Sequence, residues 1–278
     1  MQLNLTHSIS ELAKMRHSVR SFKPQVPEQE LIKAYMEPLS NTSSLFKSNP
    51  RYDSIFVEQI PGKLGTYGMV KGAKSFLLAV APIKEIRNAY LQIGYQMEQS
   101  VFIATDRGLG TCWLGGTFDK TTFYQAANVQ KEEKLAVIMP IGYPADNPHL
   151  FAGLARRFAR SDSRIAFEKL FFNAKTGNSM TEGAAGKFAK PLSCVRLAPS
   201  AINKQPWRIY LTDSAAFLFM HSNGKQGADD LHYVDMGIAA FHFEAAAKEA
   251  GLSGSWNFEP PTFSVPNHLE YIVSWKID

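Results

Sequence analysis

Sliding the chain against itself places residues 90–113, YLQIGYQMEQSVFIATDRGLGTCW, over residues 233–256, YVDMGIAAFHFEAAAKEAGLSGSW, without a gap. Tyr90/Tyr233, Gly94/Gly237, Ala104/Ala247, Gly108/Gly251, Leu109/Leu252 and Trp113/Trp256 all pair at one difference in number, 143 (237 − 94, for example). Such self-similarity favours a fold made of two related units. Each copy predicts a helix of about four to five turns. The helix ends at a glycine, Gly108 or Gly251, able to take the left-handed conformation, followed by a leucine that can fold back on the last turn. In the first copy Ile93, Met97, Val101 and Ala104 recur at helical spacing. In the second, Ala239, Ala240, Ala245, Ala246 and Ala247 leave little side chain, so another helix can come close.

A weaker match pairs Ser54–Val57 with Arg208–Leu211 at a difference of 154 (209 − 55), both reading as short buried strands. Strand-like runs also occur at Phe76–Ala81, Ala136–Ile141 and Glu270–Trp275. Each half then reads helix, strand, strand, long helix, strand, which implies an α+β or three-layer architecture. The chain has 278 residues, 45% hydrophobic and 20% charged, enough for two domain-sized units and a large core. Asn173–Gly186, rich in small and polar residues, reads as a surface connection, so the expected division is 1–172 and 173–278. Phe76–Ala81 is the longest apolar run and far too short for a bilayer. No signal peptide is visible at Met1–Thr6, and Cys112 and Cys194 form neither a disulfide framework nor a zinc pattern. The expectation is a reduced, cytoplasmic protein with no membrane partner.

The net charge of +5 raises the question of nucleic acid. The basic residues are scattered except for Arg156, Arg157 and Arg160, with Arg164 beyond them. That cluster is too short for a duplex-tracking stripe and suits one anionic group equally well. Near the N-terminus, Arg16, Ser18 and Arg20 alternate, so in an extended segment they share a side. Guanidinium forks and a hydroxyl match a phosphate monoester. Pro27–Glu30 then opens a helix whose apolar stripe is Leu31, Ile32, Tyr35, Met36 and Leu39. The glycines of Gly108–Gly116 would let backbone pass close to a flat ligand, or form a helix cap and turn; no Walker lysine follows. Gly65–Gly68 is another backbone approach or an ordinary loop. In Arg196–Trp207, serine, asparagine and free backbone groups beside a tryptophan could read a heterocycle edge, or merely cap a helix.

Four segments together resemble the FMN-dependent nitroreductase superfamily: Arg16–Arg20, Gly108–Gly116, Pro140–Pro144 and Ala198–Trp207. Ordinary members carry all the motifs on one repeat and bind FMN at a homodimer interface. Here Arg-x-Ser-x-Arg occurs only in the first half and Pro-Ser-x-x-Asn-x-Gln-Pro-Trp only in the second, with fragments (Leu39–Thr42) in the region Pro38–Asn49. The chain is therefore similar to the internally duplicated subgroup called putative TM nitroreductases, in which one polypeptide mimics the dimer. The resemblance implies a three-layer α/β/α fold with two pseudo-repeats and one complete FMN site, its symmetry mate degenerate.

By that resemblance Arg16, Ser18 and Arg20 hold phosphate, ribityl chain and pyrimidine edge, with His17 acting through its backbone. Leu114, Gly115 and Gly116 run along the isoalloxazine. Pro199, Ser200, Ala201, Ile202 and Asn203 cover it from the second half, and Arg156 or Arg157, with Arg160, completes the phosphate pocket. One departure is Gly65–Gly68, where relatives often have asparagine and lysine. The implied reaction is ping-pong hydride transfer from NAD(P)H through FMN to a nitroaromatic or quinone, by a monomer acting as a pseudo-dimer, with no catalytic acid or base assigned. Other chemistry on this scaffold, flavin binding without catalysis, and a basic nucleic-acid module are the alternatives.

Overall fold

The computed structural model describes residues 4–41, 44–59, 65–146, 163–221 and 231–278. In chain order the elements are α1 (Ile9–Met15), α2 (Gln29–Asn41), β1 (Arg51–Phe56), β2 (Ser75–Pro82), α3 (Ile86–Asp106), β3 (Gly110–Thr111), α4 (Lys120–Ala126) and β4 (Glu133–Gly142). They continue with β5 (Phe171–Asn173), α5 (Ala189–Leu197), β6 (Trp207–Leu211), β7 (Ala215–His221), α6 (His232–Glu249), β8 (Gly254–Asn257) and β9 (Leu269–Ile277).

One sheet has the order β1-β2-β4-β3 and the other β5-β6-β7-β9-β8. Leaving out β5, which runs parallel to β6, both sheets have the same antiparallel order. Each even carries a register shift at the matching place, between Ala79 and Val80 in β2 and between Leu218 and Phe219 in β7. That landmark corrects the strand match expected from sequence. Arg51 faces Val80 and Arg208 faces Phe219, so β1 and β6 superpose at 157 (208 − 51) rather than 154. A shift of three is odd and turns every side chain to the opposite face. Accordingly Tyr52, not Ile55, joins the core that holds Ile209. The strand β5 straddles residue 172 and pairs with the second sheet.

The long helices lie between the sheets. A single core combines Leu77, Val137 and Met139 of the first sheet with Ile209, Leu218 and Trp275 of the second, around Ile93, Met97, Met236 and Phe243. Each half thus layers helices on an antiparallel sheet, and the halves meet through α3 and α6, an α+β fold of two pseudo-repeats. The closest approach is at two glycines. A Cβ on Gly94 would lie 2.0 Å from the Val234 carbonyl oxygen, and one on Gly237 would lie 2.0 Å from that of Leu91. Since 234 − 91 is again 143, the contact is self-complementary, as across a two-fold axis. The alanines of α6 line the helix, but the glycines set its distance from α3.

The helix ends repeat too. Gly108 (φ 75°) and Gly251 (φ 76°) are left-handed. Their N–H groups bond Thr105 and Lys248 oxygens, while Leu109 and Leu252 bond those of Ala104 and Ala247, all at the 143 difference. Both are Schellman caps. The N-terminal arm breaks the symmetry: it occurs once and is pinned to both helices. Asp106 at the end of α3 accepts from Thr6 and His7, and Glu249, its counterpart on α6, accepts from the Ile9 N–H at 2.6 Å.

Candidate cofactor site

Beyond α1 the chain runs extended, wedged among three segments. The Val19 N–H donates to Thr111 O at 2.8 Å, the Lys71 N–H to Arg20 O at 2.9 Å, and the Lys23 N–H to Tyr143 O at 2.9 Å. Gly110 makes this possible, since a Cβ there would fall 2.6 Å from the Val19 side chain. Val19 is buried while His17 is exposed, its ring Nδ1 bonded to Met15 O at 3.0 Å. Arg16, Ser18 and Arg20 all act on one neighbour, the buried Cys112 thiol. Burial pushes that thiol up, and Arg20, the Ser18 hydroxyl and Arg16 pull it back down. Arg16 is itself 9% exposed. The Pro140–Pro144 segment flanks them: Gly142 pairs with Gly110 and Pro144 with Phe22.

From β3 the chain passes Leu114, which exchanges two 3.0 Å hydrogen bonds with Ile138, and emerges at the exposed Gly115 and Gly116. A Cβ on Gly115 would come within 2.9 Å of Leu231 Cδ1 at the start of α6, and Gly116 has open space where its Cβ would be. Gly65–Gly68 is a turn beside this strap: the Asp119 N–H bonds Gly65 O at 2.8 Å, and Tyr67 (φ 46°) stands 71% exposed.

One turn into α6, Asp235 accepts the Ala201 N–H at 2.9 Å and so holds the loop that follows α5. The Ser200 hydroxyl accepts from the Gln205 N–H at 2.9 Å, which closes that loop. Ile202, Asn203 and Gln205 are all left-handed (φ 45°, 56° and 49°). For Ile202 this costs about 1–2 kcal/mol, yet its side chain is 87% exposed. Strained backbone of this kind clusters at functional sites. Asn203 Nδ2 donates to Ser163 O at 2.8 Å, and the Ile165 N–H donates to Gln205 Oε1 at 3.0 Å. Pro199 and Ser200 are half-buried beneath the exposed Ala201. Arg156, Arg157 and Arg160 lie outside the described residues. The glycine strap and the Pro–Ser loop therefore meet at the start of α6, one from each half, while Arg16, Ser18 and Arg20 lie around Cys112 on the segment that leads into the strap.

The pseudo-symmetric position is built differently. Gln92 is the counterpart of Asp235 (92 + 143) and accepts the Phe46 N–H at 2.9 Å. Lys47 (φ 54°) follows Phe46 as the left-handed Ile202 follows Ala201. The vestige of the Pro–Ser loop is thus Ser44–Ser48; of Leu39–Thr42, expected as its fragment, Leu39–Asn41 belongs to α2 and Thr42 lies outside the described residues. Opposite it, Gly115 is replaced by Phe258 (115 + 143), whose ring meets Phe46 edge-to-face at 6.0 Å with Lys47 Nζ 5.9 Å above it. Two phenylalanines stand where the first site has glycine and alanine. Sequence reasoning missed Asp235, Gln92 and this plug. Carrying the repeat alignment two residues past Trp113/Trp256 would have exposed the Gly115/Phe258 exchange.

The family model described as Putative TM nitroreductase matches residues 8–247. The chain belongs to this family. Its class is that of an oxidoreductase. A solved putative nitroreductase from Thermotoga maritima is 18% identical, covers 100% of this chain and 96% of its own, and superposes with a TM-score of 0.61, which shows the shared fold. A nitroreductase family protein from Clostridium novyi (19% identity, 51% of this chain, 88% of its own, TM-score 0.41) and a nitroreductase with bound FMN from Bacteroides fragilis (17%, 51%, 91%, 0.40) are also similar. No curated protein matches.

The residues of the site fit FMN. The buried Arg16 and the half-buried Arg20 supply positive charge for a phosphate, and Gly116 has open space where a side chain would stand. A cavity of about 430 Å³ lies elsewhere, under Met180, Phe188 and Leu211 with Lys175 and Lys187 at its rim, and contains none of these residues. Among the described residues no cluster of His, Cys, Asp and Glu could hold a metal, and no helix is long and apolar enough to cross a membrane.

Proposed function

We propose that this chain is an FMN-dependent oxidoreductase that passes hydride from NAD(P)H to a small electron-poor acceptor, a nitroaromatic or a quinone, at one site assembled from both halves. The observation that carries this reading is the approach of the Gly115–Gly116 strap and the Asp235-anchored Ser200–Asn203 loop at the start of α6, with Arg16, Ser18 and Arg20 around Cys112 just before the strap. Bound FMN supplies the hydride chemistry. The protein binds, orients and shields.

Arg16 and Arg20 bind the phosphate end, Ser18 offers a hydroxyl, and His17 lends only backbone. Leu114–Gly116 lies along the ring, while Pro199–Asn203 covers it from the second half, with Ile202 turned toward the acceptor. The undescribed Arg156, Arg157 and Arg160 are further candidates for the phosphate. Repeats of 1–172 and 173–278 would clasp one flavin per chain, because Phe46 and Phe258 fill the mate. A monomer then suffices, and no nucleic-acid partner is invoked.

Purified protein should be yellow, bleach under NAD(P)H without oxygen, and recolour when a quinone is added. Changing both Arg16 and Arg20 to alanine should abolish FMN retention while circular dichroism stays native. Full occupancy in that variant would refute the phosphate site.

A further inference from the structure

Between α3 and α6 lies a polar cluster that the proposed reaction does not use. Glu98 and His242 are both fully buried and meet at 2.9 Å, Oε1 to Nε2. The other ring nitrogen, Nδ1, lies 3.0 Å from the Cys194 carbonyl oxygen and 3.5 Å from its sulfur. The other carboxylate oxygen, Oε2, receives the Trp113 Nε1–H at 3.0 Å. A carbonyl oxygen only accepts, so Nδ1 carries a hydrogen. The indole hydrogen occupies Oε2. One proton must then sit between Nε2 and Oε1, because two lone pairs would repel at that distance. Wherever it rests, the pair is neutral overall, which is what a sealed interface tolerates best.

The second half has a related clip without this proton. Trp256, the counterpart of Trp113, donates to Glu244 at 2.7 Å, and Glu244 is reached across the interface by the Tyr95 hydroxyl. Beyond Trp256 comes the Phe258 plug; beyond Trp113 come the buried Leu114 and the exposed Gly115 and Gly116.

We propose that Glu98 and His242 share one proton in the closed interface and are positioning residues, fixing Trp113 and thereby the strap that faces the flavin. The strap's role rests on the function proposed above; the shared proton does not. The titratable groups nearby are Cys194 on α5, raised by burial, with Lys190 and Glu249 acting on it, and Tyr95 and Glu244 in the second clip.

Two measurements test this. First, nitrogen-15 NMR of the histidine rings in the intact protein should show His242 carrying a hydrogen on Nδ1 and a strong hydrogen bond between Nε2 and the Glu98 carboxyl. A ring whose Nδ1 carries no hydrogen, or whose Nε2 shows no such bond, overturns the shared proton. Second, FMN titration of apoprotein should show a dissociation constant raised about tenfold or more in Glu98→Ala, since a buried bond network is removed. It should stay within about twofold of native in Glu98→Gln, whose amide can accept from Trp113 and donate to His242. Trp113→Phe, which keeps the ring and removes only the N–H, should weaken FMN about threefold to tenfold and remains informative if Glu98→Ala does not fold. Native affinity in Trp113→Phe, or equal loss in Glu98→Gln and Glu98→Ala, overturns the positioning role. Absence of FMN binding by the native protein itself would refute the proposed function and, with it, the flavin-directed role, while leaving the NMR result to decide the proton.

Discussion

The candidate site and its plugged mate share an anchoring hydrogen bond and a left-handed residue, and differ at Asp235/Gln92, Ile202/Lys47, Gly115/Phe258 and Ala201/Phe46. In each, a side chain one turn into a long helix, Asp235 or Gln92, accepts the N–H that precedes a left-handed residue, Ile202 or Lys47. The first site has Gly115 and Ala201 at the positions where the second has Phe258 and Phe46. Backbone geometry repeats here where side-chain chemistry does not. Hydrogen-bonded geometry is fixed by the helix pair and its glycine contact, which both copies need to fold.

The sharpest break of the comparison would be a mutation on one side behaving like its mate on the other. Phe46→Ala should cost about 3–5 kcal/mol, as expected for truncating a buried aromatic, yet leave the FMN stoichiometry at its native value. Chemical denaturation and flavin absorbance check the two parts, and loss of FMN would mean that both sites contribute to binding. Gly94→Ala and Gly237→Ala should each cost about 2–3 kcal/mol, since the added methyl meets carbonyl oxygen rather than a movable side chain. Nearly equal losses are the expected signature of the pseudo-two-fold contact. A large effect at one glycine alone would deny it.

Smaller effects sharpen the picture. Ile202→Gly should relieve left-handed strain but loosen the unfolded chain, for a net gain of about 0.5–1 kcal/mol. It should also slow turnover of a quinone acceptor if the exposed isoleucine meets the substrate; unchanged turnover would return Ile202 to a purely local role. The smallest effect is acid release of the arm that carries Arg16. Burial pushes the Asp106 carboxyl up, but the bonds from Thr6 and His7 outweigh it and hold the group at about 2. Glu249 is lowered too, its bonds from Lys190 and Ile9 outweighing burial. Because these folded values lie below the unfolded ones, their stabilisation is present above about pH 4 and is lost as pH falls toward 2. Hydrogen exchange in residues 6–16 should therefore rise in that window before the sheets open; simultaneous opening would show that the arm is not separately anchored.

Much of this was legible in the sequence because it is local. The 143 repeat, the Gly108 and Gly251 caps and the helix face of α3 are set by residues close along the chain. Strand register was not. Ser54–Val57 resembles Arg208–Leu211 in composition, but pairing with β2 and β7 decides which face each strand shows, and that is three residues away from the apparent match. Asp235, Gln92 and the Glu98–His242 pair were hidden for a related reason. Each is a polar residue on a largely apolar helix, and its partner lies tens of residues away on another element. The degenerate loop was misplaced because Ser44–Ser48 matches Ser200–Asn203 in a left-handed residue and in hydrogen bonds, not in its run of residue types.

Native mass spectrometry of the purified protein titrated with FMN is the most direct check on a single clasped cofactor. The 31.0 kDa chain should take up one FMN and no second at saturation, whether or not it associates further. Two molecules per chain, or one shared between two chains, would contradict the account.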